Sequence, residues 1–141
     1  MTIKRLYDLV EKEGIAIENY PLPQGISGHY CVIDKVAIIT LKVGLSEKEE
    51  KCILAAELGH HFSPCFNISI PKNEQEKISV VRQEKISLKW AAKQLIDKSR
   101  LVRLLKQEDP PSFAELCEEF DVIPRLMEIM LEEIIKEDNR C

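Results

Sequence analysis

The stretch ILAAELGHHFS, residues 53–63, sets Glu57, His60 and His61 within little more than one turn of helix. A helix advances 3.6 residues per turn, so positions 56, 57 and 60 lie on or beside one face. The zinc-binding pattern His-Glu-x-x-His needs that geometry. Its two histidines hold the ion, and its glutamate serves as general base towards a water whose pKa the ion lowers. Here Glu57 and His60 stand in register, but the first donor position is Ala56, which coordinates nothing.

A further donor must come from another element, and the next helical segment offers Glu84 in VRQEKISLKWAAKQLI. Gly59 lets a second element approach closely, although mid-helix it costs about 1 kcal/mol against alanine. Three outcomes stay open on spacing. Zn2+ is held by His60 and Glu84 plus waters, or Glu57 or His61 moves into a coordination position, or no metal binds and hydrogen bonds hold the histidines. Glu57 pairs with His60 at i,i+3 and with His61 at i,i+4, so either pair can reach one ion. Each cysteine reads first as a small buried hydrophobe, with Cys52 and Cys65, which flank the helix, as alternative substitute donors. His29 reads as an exposed turn residue, and Phe62 and Trp90 read as core.

The elements that would position these groups are legible in the pattern. Residues 3–12 carry Ile3, Leu6, Leu9 and Val10 at helical spacing, with Gly14 closing the helix. YPLPQGISG is turn-rich, and HYCVIDKVAIITLKV reads as two short strands joined at Asp34-Lys35. Ser46 and Glu49 form a capping box that starts a helix over 47–61. Helices over 74–97 and 101–108 follow. A helical pair turning near Asp121 ends the chain. The long helix carries Ile78, Val81, Ile86, Leu88, Trp90, Ala91 and Leu95 as its apolar set. The expected fold is therefore α+β: a mainly helical single domain, residues 1–141, with a small antiparallel hairpin packed on a central helix. Residues 1–110 form the core and 111–141 a C-terminal helical hairpin.

A net charge of −4 gives no basic face for nucleic acid or an anionic membrane. No apolar run approaches the roughly 20 residues that span a bilayer. The first 14 residues mix charges into an amphipathic pattern, unlike a secretory signal. The five cysteines are scattered, with no CxxC pair, which suits unpaired thiols in a reducing, cytoplasmic setting.

CILAAELGHHFS after a Gly-x-Tyr hairpin resembles the ImmA/IrrE family of metallo-endopeptidases. QEKISLKWAAKQLI resembles the segment that carries the family's glutamate ligand, and SFAELCEEFDVIPRLMEIML its C-terminal segment. Together these cover residues 7–131. The resemblance implies a zincin-like core, with Glu57 as general base, His60 and Glu84 as zinc ligands, and attack of a zinc-activated water on a peptide carbonyl. It implies a protein of a phage or other mobile element that relieves repression by cleaving a helix-turn-helix repressor encoded nearby. Many phage-type relatives have Glu at the position of Ala56, in an AEELGHH string. The alternative is a non-catalytic module that keeps the fold and binds such a partner without cutting it. The last two helices could themselves be a DNA-binding helix-turn-helix, but 112–141 holds three Lys/Arg against nine Asp/Glu. That balance opposes phosphate contact.

Overall fold

The computed structural model describes residues 1–63 and 71–139; Cys65 and Cys141 lie outside them. Among the described residues are six helices and three strands, in the order α1 (Ile3–Lys12), β1 (Ala16–Tyr20), β2 (Gly28–Ile33), β3 (Val36–Lys42), α2 (Glu47–Phe62), α3 (Glu74–Leu95), α4 (Lys98–Leu105), α5 (Phe113–Phe120) and α6 (Pro124–Asp138). The α+β class follows. None of these helices is long and apolar enough to cross a membrane.

The sheet is mixed, not the antiparallel hairpin expected. Its order is β1-β3-β2, with β1 parallel to β3 and β2 antiparallel to it. The missed strand, AIENY, shows little alternation because only Ile17 on it is even half-buried. Ile17 pairs with Ile39, and the Pro21–Gly25 turn carries the chain across to the far edge. The hairpin itself forms where expected: Asp34 and Lys35 both take positive φ, 50° and 67°. That pair of angles is what a two-residue I′ connection requires.

α2 starts at its capping box, with Ser46 and Glu49 each bonding the other's backbone N–H. Cys52, Leu54, Ala55, Ala56, Leu58 and Gly59 are buried on it, and Ile53, Glu57, His60 and His61 on the remaining arc are half-buried. The sheet covers one side through Ile39 and Leu41, and α3 covers the other. α3 is buried only through Ser87, Leu88, Ala91, Ala92 and Leu95. Ile78, Val81 and Ile86, read as part of its apolar face, are exposed, and no residue over 74–84 is buried, so its first half projects past the core.

The C-terminal pair completes the core. Leu116, Phe120, Val122, Leu126, Met127 and Ile129 join the same buried cluster as Leu54 and Leu58. Asp121 caps α5 in the left-handed conformation and accepts a hydrogen bond from Lys51 Nζ at 2.9 Å. That contact ties the turn to α2.

Candidate functional site

The site is built where α2 and α3 come closest. A Cβ placed on Gly59 would lie 2.9 Å from both Cα and the carbonyl carbon of Ser87, and closer still to its oxygen. No side chain fits, so glycine sets the helix separation. One position on, His60 then faces α3. Its Nε2 stands 3.0 Å from Glu84 Oε2 and 3.2 Å from Ser87 Oγ. Ser87 donates its hydroxyl proton to the Glu84 carbonyl at 2.8 Å, so its oxygen is left to accept. The His60 Nε2–H is thus the donor towards both. This bond raises the His60 pKa and lowers that of Glu84.

Glu57 lies beneath β2. A Cβ on Gly28 would meet Ile53 Cγ2 at 2.5 Å and Glu57 Cγ and Oε1 at 3.2 Å each, so a bare strand backbone makes room for the carboxyl. Burial pushes the Glu57 pKa up to about 7, with His60 opposing the shift and Glu84 adding to it. Glu57, His60 and Glu84 line one cleft of about 350 Å³, closed by Tyr30 on the β2 side and by Val80 and Gln83 on the α3 side. Three of the four residues singled out from the sequence therefore face one cleft.

His61 does not join them. Its Nδ1 is 2.8 Å from Tyr30 Oη and its Nε2 3.1 Å from Glu13 Oε1. Burial raises the Tyr30 pKa, so the phenol keeps its proton and donates to Nδ1, while Nε2–H donates to Glu13. Both nitrogens that an ion would need are engaged. His29 sits within β2, not in a turn, and is exposed. Phe62 is 39% exposed and stacks on Trp90, centroids 5.2 Å apart, so of this pair only Trp90 packs against the core.

The donor set can be tested against zinc. His60 Nε2 and Glu84 Oε2 are near enough for both to reach one ion at the roughly 2.0–2.2 Å of zinc–nitrogen and zinc–oxygen bonds. Ala56, one turn before His60, is 7% exposed and supplies only a methyl. Among the described residues no three His, Cys, Asp or Glu side chains gather as a metal-holding group. The pair fits one edge of the coordination sphere, and among the described residues the site is one protein donor short.

Sequence reasoning missed Ser87, Tyr30 and Glu13. The signal for Ser87 was present, because a serine facing a glycine on a neighbouring helix marks close approach. Nothing in the pattern pointed to Glu13, which meets His61 only through the fold. Compared with family models, curated proteins and solved structures, the chain matches none.

The Glu57 environment has a consequence for stability. Its folded pKa lies above the ordinary 4.5, so the unfolded chain loses its proton first as pH rises. Stability should then fall between pH about 4.5 and about 7, by on the order of 3 kcal/mol from this group. His60, also raised, acts in the same sense; Glu84, lowered, adds a loss only as pH falls below the usual carboxylate range. Glu57→Gln keeps the shape of the neutral carboxyl and should remove most of the fall. Urea unfolding at pH 5 and pH 8 checks this: equal losses in both proteins would contradict the burial argument.

Proposed function

We propose that this chain is a zinc-peptidase-type protein of the ImmA/IrrE kind, acting in the cytoplasm on a helix-turn-helix repressor of a phage or other mobile element. What carries the reading is the convergence of Glu57, His60 and Glu84, from two helices, on one cleft. His60 and Glu84 would hold the ion, which when bound supplies Lewis-acid polarisation of a peptide carbonyl. Glu57 would take a proton from the water that attacks the carbonyl and return it to the nitrogen of the leaving amine as the C–N bond breaks. Burial raises its pKa in the metal-free site, and a cation held by His60 and Glu84 would draw it back down, favouring the ionised form that a base needs. β2 and the projecting half of α3 form the walls between which a peptide segment would lie.

A second reading has its own observation. Ala56 leaves the ion one protein donor short, and His60 and Glu84 already satisfy one another. A module that binds the repressor without cutting it fits that arrangement. Incubating the chain with the neighbouring repressor and zinc separates the two. Slow cleavage that Glu57→Gln abolishes supports the peptidase. A stable complex with intact repressor, unchanged by Glu57→Gln, selects the binding module.

A further inference from the structure

The second histidine of the tandem has bonds but no place in the chemistry above. His60 and His61 both lie in the last turn of α2, beside the Ser63 cap, where helices fray. A donor in such a place needs holding from outside. The Tyr30 ring lies nearly parallel to the His60 imidazole, at 11° with centroids 6.4 Å apart. It meets His61 edge-on, at 72° and 5.7 Å. Its hydroxyl is fixed by His61 Nδ1, and His61 is fixed in turn by Glu13 at the C-cap of α1.

We infer that His61, anchored by Glu13, is a positioning residue that locks Tyr30 as the wall beside His60 and so aims His60 Nε2 at Glu84. The inference rests on the reading of His60 as a metal donor. The chain of contacts runs from α1 through α2 to β2 and returns to α2, so three elements share in orienting one imidazole. For His61 to serve as a donor, it would have to break one of its two bonds. Groups hydrogen-bonded directly to a metal-binding histidine are worth roughly 10–100-fold in metal affinity; Tyr30 meets His60 by its ring alone, so the lower end of that range is the scale expected here.

Two readouts test this. The first is the NMR spectrum of the His60 ring in metal-free protein, which senses the Tyr30 ring directly. Tyr30→Phe keeps the ring and Tyr30→Leu removes it, so these two define the range. His61→Ala should move the His60 signals towards those of Tyr30→Leu, and Glu13→Ala part of the way. Glu13 is on the exposed end of α1, so its variant remains informative if His61→Ala does not fold. The second readout is zinc titration, in which His61→Ala should weaken binding about 10-fold. His61→Gln, whose amide can still donate to Glu13, should recover part of that loss. His60 signals and zinc affinity unchanged in His61→Ala and Glu13→Ala would overturn the proposal. So would zinc perturbing the His61 ring as strongly as His60, since His61 would then be a donor. If the wild-type chain takes up no zinc, the functional reading fails separately, and the His60 signals alone decide whether His61 positions it.

Discussion

Gly59→Ala should destabilise the protein by about 2 kcal/mol and disorganise the cleft at the same time. An added methyl meets the Ser87 backbone at 2.9 Å and less, and backbone cannot swing aside as a side chain can. Alanine's better helix propensity, about 1 kcal/mol, offsets only part of the overpacking. The helices must therefore separate, and the 3.0 Å contact between His60 and Glu84 is the first thing lost. Urea unfolding measures the first effect and zinc titration the second. A Gly59→Ala protein as stable as the wild type, with its zinc binding intact, would show that the two helices are not locked at this point.

Ala56→His should strengthen zinc binding by more than the roughly 10–100-fold that a supporting residue is worth, because it adds a direct donor. Position 56 is one turn before His60, which is where the second imidazole of a helical pair must stand. Ala56→Glu tests the same position with a carboxylate. Ala56 is buried, so either change adds bulk to a packed helix and should cost about 1 kcal/mol or more of stability. Tighter zinc with lower stability is the expected combination, read by titration and thermal unfolding on the same samples. Unchanged affinity in both variants would mean that His60 and Glu84 do not form part of a metal site.

Much of this was readable from the sequence, and the parts that were not have physical causes. Local signals worked where chemistry is local: the Ser46 capping box, the Asp34-Lys35 turn and the turn near Asp121 all form where expected. Gly59 announced close packing before its partner was known. β1 escaped because an edge strand with one half-buried residue has no alternation to detect. The apolar residues early in α3 misled for the opposite reason: helical period says which residues share a face, not whether another element covers it. At the site, Glu57 and His60 were singled out from type and spacing and Glu84 as a candidate on the next helix; the fold brings the three to one cleft. The role of His61 was not, because tandem histidines look alike until the fold brings Glu13 and Tyr30 to one of them.

The most direct test of the central claim is the zinc content of the chain purified without chelator, measured by mass spectrometry beside His60→Ala and Glu84→Ala. Zinc is expected in the wild-type chain, below one per chain as purified because only His60 and Glu84 hold it, rising towards one when zinc is added in excess, and lost in each variant. No zinc in the wild-type chain even when zinc is added in excess, or zinc that survives both substitutions, would contradict a metal site at His60 and Glu84.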